Sequence, residues 1–302
     1  MTVTIYRSTD SGAPTIGSTA GQLVTALDAI LVGSGGIAYG SKPSQGWTAP
    51  YSDTNKRVYR GPAGGTQMYL RIDDTGTTQA RARGWEVKAD INDVVDASNT
   101  GPFPTNAQCS GGVYLAKSST GTRAWVAFGN GKILYFFIQY GGSVTNNWGW
   151  AIGDITTYKT SDAYNFIISA SNTASYPYFG YKTANANYMP RVAAQTGASV
   201  SCTTFGSLYG NAGYIGCTGF SFYPHLADNY IWMSPYYVYD TTIVRGLFPG
   251  IWDQHHTRSY FNNGDTFTGV GRFAGKTFEI VRGQCSSGTD YLATVIETSD
   301  TW

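Results

Sequence analysis

Residues 123–140, RAWVAFGNGKILYFFIQY, are the most apolar stretch of the chain, and they fold back on themselves around Gly129, Asn130 and Gly131. Asn-Gly supplies the positive φ values that a tight hairpin turn needs, so the stretch predicts a β-hairpin. Residues 125–128 and 133–138 are apolar at consecutive positions. Successive strand side chains point to opposite faces, so both faces of this hairpin must be covered, and it belongs at the centre of a β structure. Its aromatic and β-branched content, its length and the flanking glycines favour strand over buried helix.

Around the hairpin, a chain of 302 residues is long enough to bury a sizeable core without disulfide or metal staples. Charged residues make up 13%, about half the share usual in globular domains, while 38 glycines and 23 tyrosines take up much of the difference. That balance suits many short strands joined by tight turns. Aromatic residues at 15% argue against disorder, because disordered chains lack aromatic burial.

Upstream of the hairpin, residues 2–7 read as a strand and residues 8–14, STDSGAP, as a break. Residues 18–32 place Leu23, Val24, Leu27, Ile30 and Leu31 on one helical face, with Ser18 or Thr19 as the N-cap and Gly33 ending the helix. Short strands follow near 56–60, 67–72 and 82–89. The Pro-, Gly- and Asn-rich run at 96–108 is the best candidate boundary, dividing an N-terminal β-rich module with the helix (1–100) from a larger β domain (101–302); a single domain is the alternative. Downstream, strand-like runs recur at 147–152, 164–169, 176–181, 230–233, 236–239, 276–282 and 291–297. The expected fold is mainly β, an antiparallel sandwich or barrel-like sheets with one N-terminal helix at about 18–32.

The formal net charge of +1 is spread along the chain with no basic block, so nucleic acid is not an expected partner. The start, MTVTIYRSTD, lacks the features of a secretory signal, and no apolar run approaches the length of a membrane span. The three histidines, His225, His255 and His256, include an adjacent pair that a strand would point to opposite sides, a poor geometry for one ion. With no GxSxG, HExxH or Walker pattern either, no metal, cofactor or catalytic residue is expected. Asp73 and Asp74, in IDDTG, read as a strand end running into a turn rather than as paired catalytic carboxylates; Glu86, Asp154 and Asp228 are scattered.

Tyr and Trp concentrate at 220–240, FSFYPHLADNYIWMSPYYVYD. Tyr230, Trp232, Tyr236, Tyr237 and Tyr239 are the binding or interface candidates. The leading expectation for such a run is that alternate positions, Tyr237 and Tyr239 among them, fill a β core; burial against another subunit comes next, and stacking on sugars last.

Five blocks carry a resemblance: VTIYRSTDSGAP (3–14), YGSKPSQGWTAPYSDTNKRVYR (39–60), MYLRIDDTG (68–76), IVRGLFPGIW (243–252) and GDTFTGVGRFAGKTFEIV (264–281). Together they resemble a group of tailed-bacteriophage virion structural proteins; residues 154–241 are the least similar part. The resemblance brings no active site with it. It implies a non-enzymatic structural component of the virion, an accessory protein on the capsid, neck, tail or baseplate, made in the bacterial host cytoplasm. Its implied partners are other virion proteins and further copies of itself in an oligomer or symmetric array. A receptor- or glycan-binding tail appendage meeting a host-surface glycan is the alternative, and a glycan hydrolase a more distant one. No fibre-like repeat is present, which favours a compact role. Of the four cysteines, Cys202 and Cys217 flank a turn-rich run and are expected to lie close together. A disulfide between them would close only once the particle leaves the reducing cytoplasm; the alternative is a pair of reduced thiols.

Overall fold

The computed structural model describes residues 2–88, 90–92, 101–118, 120–139, 147–171, 185–191, 200–205, 233–240, 243–254, 262–282, 293–299 and 302. In chain order the strands are β1 (Thr4–Arg7), β2 (Ile37–Tyr39), β3 (Lys42–Pro43), β4 (Thr48–Asp53), β5 (Lys56–Arg60), β6 (Tyr69–Asp73), β7 (Gln79–Trp85), β8 (Val113–Ala116), β9 (Trp125–Gly129) and β10 (Ile133–Gln139). They continue with β11 (Asn147–Asp154), β12 (Thr156–Thr157), β13 (Phe166–Ser171), β14 (Asn185–Met189), β15 (Val200–Phe205), β16 (Met233–Asp240), β17 (Ile243–Gln254), β18 (Thr266–Thr268), β19 (Thr277–Arg282) and β20 (Ala293–Glu297). The protein is mainly β, its strand pairs are antiparallel, and among the described residues one short α-helix lies near the N-terminus, as the composition and spacing predict.

β9 and β10 are the hairpin of residues 123–140. Gly129 faces Leu134 and Trp125 faces Ile138, so the turn is wider than a two-residue Asn-Gly loop. Only Gly131 takes a left-handed φ, at 88°. Asn130 acts through its side chain instead, its Oδ1 accepting the N–H groups of Lys132 and Ile133, both at 3.0 Å. β1 pairs with the outer edge of β9, and β11 with the outer edge of β10.

This wall separates two cores, and the side-chain alternation shows it directly. Trp125, Ala127, Leu134, Phe136, Ile138, Trp148, Trp150 and Ile152 face one core, while Val126, Phe128, Ile133, Tyr135, Phe137 and Ala151 face the other. The helix and the inner faces of β5–β8 complete the first core; residues of β16, β17, β19 and β20 complete the second. β13 connects the two halves, pairing with β11, β14 and the end of β8. From β14 the ladder runs through β15, β16 and β17 to β20, β19 and β18.

The first core crosses position 100, since Tyr6, Leu23 and Leu70 share it with Trp125 and Phe136. At 101–108, the described part of the run read as a boundary, Phe103 exchanges backbone hydrogen bonds with Gly84 at 2.8 and 2.9 Å. A Cβ at Gly84 would come within 2.1 Å of the Phe103 ring, so this close approach needs glycine. The strand expected at 82–89 lies earlier, at Gln79–Trp85, because its pairing with β6 sets its limits. The run expected at 176–181 lies outside the described residues.

The helix is shorter than its apolar face suggests: Gln22–Leu27 is α-helical, and Asp28–Val32 continues as a π turn to Gly33, at φ 64°. Neither Ser18 nor Thr19 caps it. The N-cap is Gly21, and the side chain that satisfies the helix start comes from Asp74, whose Oδ2 accepts the N–H groups of Leu23 (2.7 Å) and Val24 (3.2 Å). Among the described residues no helix is long and apolar enough to cross a membrane.

Candidate functional site

Most of the buried carboxylates are engaged in holding the fold. Asp74 pairs with Lys117 at 2.5 Å, and both side chains are fully buried. Lys117 Nζ also donates to the carbonyls of Thr19 (2.8 Å) and Gly76 (3.1 Å). Burial pushes the Asp74 carboxyl up, and Lys117 with the two helix N–H groups pulls it back. Its neighbour Asp73 stays in the turn, accepting Thr75 Oγ1 at 2.7 Å and lying 3.1 Å from Arg71. Glu86 meets Arg191, Glu279 meets Arg7, and Glu297 meets Lys276.

One polar cleft of about 540 Å3 gathers residues from distant parts of the chain. Asp154, at the end of β11, is held between the backbone N–H and the hydroxyl of Thr66, at 2.8 and 2.6 Å. Gly65 makes this possible, since a Cβ there would lie 2.6 Å from Asp154 Oδ2. Burial raises the Asp154 pKa; the two Thr66 bonds and the Lys132 charge oppose that rise. Asp162 lies on the same cleft but is locked to Arg245 by bonds of 2.8 and 3.1 Å. Asn165 donates to the Ile155 carbonyl at 2.8 Å, and its buried Oδ1 accepts no hydrogen bond. Trp302 forms part of the wall. Its indole N–H donates to the Glu297 carbonyl (3.1 Å), its own carbonyl accepts from Asn130 Nδ2 (3.2 Å), and its ring covers Gly250 and meets Tyr135 at 5.3 Å.

The cleft-lining residues Thr156 and Thr157 form β12, which pairs with β17, and β17 pairs with β16. Cross-strand neighbours share a face, so the pairs Tyr237–Leu247 and Thr156–Leu247 set Tyr237, Leu247 and Thr156 abreast. Thr156 also lines the cleft. Tyr158, two residues further on, is 57% exposed, and its N–H donates at 3.0 Å to the Arg245 carbonyl of β17, the strand that pairs with Tyr237 and Tyr239. Ile243 and Val244 extend the exposed surface at the β16–β17 turn.

Alternation along β16 divides the tyrosine candidates. Tyr237 and Tyr239 are half-buried on the outer face of the strand, whereas Tyr236 is a core residue, 1% exposed, packed in the second core with its hydroxyl 3.5 Å from Thr294 Oγ1. Tyr236 therefore leaves the set of surface candidates. Tyr230, Trp232, Asp228, Cys217 and the three histidines lie outside the described residues. Cys202 sits on β15 opposite Asn187, and its expected pairing with Cys217 lies outside them too. Cys109 is a free, buried thiol that donates to the Gly112 carbonyl at 3.2 Å. Among the described residues no group of three or more His, Cys, Asp and Glu is placed to hold a metal ion.

Sequence reasoning missed Tyr158, Thr66 and Trp302 and left Asp154 among the scattered acids, because the cleft is assembled from segments up to 238 positions apart (64 to 302). The glycine pair flanking the site, Gly64 and Gly65, is the one local signal of a close approach. No protein-family model matches the chain, and no curated protein matches it.

Proposed function

We propose that this chain is a non-enzymatic structural component of a tailed-bacteriophage particle, an accessory protein of the capsid, neck, tail or baseplate that works in multiple copies beside other virion proteins. The observation that carries this reading is where the five resembling blocks fall. Residues 3–14 bring Tyr6 and Arg7; residues 39–60 bring Gln45, whose amide donates to the Tyr6 hydroxyl at 2.5 Å, and Trp47, whose indole grips the Gly131 carbonyl at 2.8 Å. Residues 68–76 bring Asp74, residues 243–252 bring Arg245, and residues 264–281 bring Glu279. Each of these side chains fastens one part of the framework to another. A likeness concentrated in fastening contacts fits a protein whose task is to hold a shape within an assembly.

A reconstruction of virions that carry this chain tests the reading: the copies should occupy fixed, symmetry-related positions. Purified particles that contain none of it by mass spectrometry would overturn the assignment. Incubated with host polysaccharide or peptidoglycan, the purified chain should release no reducing ends above background. A release that Asp154→Ala or Asp162→Ala abolishes would instead establish a hydrolase.

A further inference from the structure

We infer that the Asp154 cleft and the tyrosine face beside it form one extended binding site for a neutral oligosaccharide. Two kinds of surface lie side by side here, linked through Thr156, which lines the cleft and stands abreast of Leu247 and Tyr237 in the strand register. Sugars present just this pair of demands, with hydroxyls that need buried polar partners and C–H faces that pack on aromatic rings.

In the cleft, Asp154 supplies the acceptor. An ionised carboxylate offers about four lone-pair sites, and Thr66 uses two of them, which leaves capacity for ligand hydroxyls. The Thr66 bonds fix the direction of the carboxylate before any ligand arrives, so little ordering remains to be done on binding. Thr156 is an exposed residue of the cleft lining, and Trp302 provides an aromatic wall within the cleft.

Outside, Tyr158, Tyr237 and Tyr239 provide the stacking surface. Tyr237 and Tyr239 are two residues apart on one strand face, a spacing of about 7 Å, so neighbouring rings can meet neighbouring units of a chain-like ligand. Three tyrosines, each with a polar tip, suit a wet and polar ligand better than an aliphatic protein surface would. The local charges also favour a neutral ligand. Asp162 is neutralised by Arg245, and Asp154 lies close to Lys132, so the cleft carries no strong field of one sign. The site stands independently of the virion assignment, because it rests only on the described cleft and strand face.

The full-length chain can be titrated with neutral tetrasaccharides of glucose, galactose and N-acetylglucosamine, α- and β-linked, followed by saturation-transfer NMR and calorimetry. At least one should bind saturably, with the strongest transfer to ring C–H protons, and more tightly than the matching monosaccharide, which reaches the cleft alone. Tyr158→Ala and Tyr237→Ala should each weaken binding at least about tenfold while leaving the circular dichroism spectrum unchanged and the protein cooperatively folded at the assay temperature, and Asp154→Asn should weaken it as well. Absence of saturable binding by every sugar in the panel overturns the proposal, as does a Tyr158→Ala/Tyr237→Ala double variant that binds like the wild type. A particle in which a neighbouring subunit covers Tyr158 and Tyr237 also overturns it, by assigning the face to a protein partner.

Discussion

Asp73 and Asp74 are adjacent in sequence, yet one stays at the surface of a turn and the other becomes the fully buried link between helix, sheet and Lys117. The motif IDDTG gives the turn because an Asp–Thr pair is local chemistry. It gives no sign of the cap, because the helix N–H groups lie about fifty positions away and Lys117 lies 43 positions away. Asp74→Ala should therefore cost far more than a turn residue would. It strands the Lys117 ammonium in the core and exposes two orphan helix donors, a loss of about 3–5 kcal/mol, to be read from urea unfolding. Asp73→Ala should cost less than about 1 kcal/mol. Equal effects would mean that the buried pair is no more important than its half-buried neighbour. Asp154 tests a different balance. Burial raises its folded pKa above the unfolded value, so its contribution to stability is greatest below about pH 4 and is lost as pH rises through the folded pKa. Asp154→Asn is neutral throughout and can keep both Thr66 bonds. Its melting temperature should gain on that of the wild type between about pH 4 and pH 7; a wild type that gains on the variant over that interval would show that the carboxylate is favoured by its surroundings.

At the scale of an element, the β9–β10 hairpin was legible because its apolar positions are consecutive, and consecutive apolar positions on a strand admit only a two-sided burial. Its turn was only half legible, since Asn130 caps two N–H groups through its side chain instead of adopting a left-handed backbone. β16 shows the limit of such reasoning. The run of aromatics announces an important strand, but the phase of its alternation depends on which neighbour the sheet packs against, so Tyr236 and Tyr237 could not be told apart from sequence. Their substitutions can be. Tyr236→Ala opens a cavity in the second core and should cost about 3–5 kcal/mol, whereas Tyr237→Ala on the outer face should stay within about 1 kcal/mol of the wild type. Thermal unfolding of the two variants side by side decides this, and reversed magnitudes would mean that the register of β16 is shifted by one residue.

For the molecule as a whole, the mainly antiparallel β architecture follows from composition and turn spacing, while the cleft does not, since no local pattern links Thr66, Asp154 and Trp302 before the chain is folded. The arrangement of two cores on one wall also depends on long-range pairing. It has a consequence for cooperativity. Phe136 stacks between Trp125 and Trp150, with centroids 5.4 and 4.6 Å away, on the first-core side, and its strand neighbours Tyr135 and Phe137 face the second core. Neither core can lose its packing while the wall that backs it stays intact on the other side, because the same backbone ladder presents both sets of side chains. Phe136→Ala removes the middle of the stack and should cost about 3–5 kcal/mol. The loss should lower the stability of β19 and β20, which Phe136 does not face, as much as that of β5 and β6. Hydrogen exchange at the amides of Tyr59 and Leu70 on one side and Val281 and Ile296 on the other reads both cores in one experiment. If the wall couples them, protection falls in parallel on the two sides and the urea transitions coincide. Protection that collapses at Tyr59 and Leu70 while Val281 and Ile296 keep their wild-type values would show two cores that unfold separately.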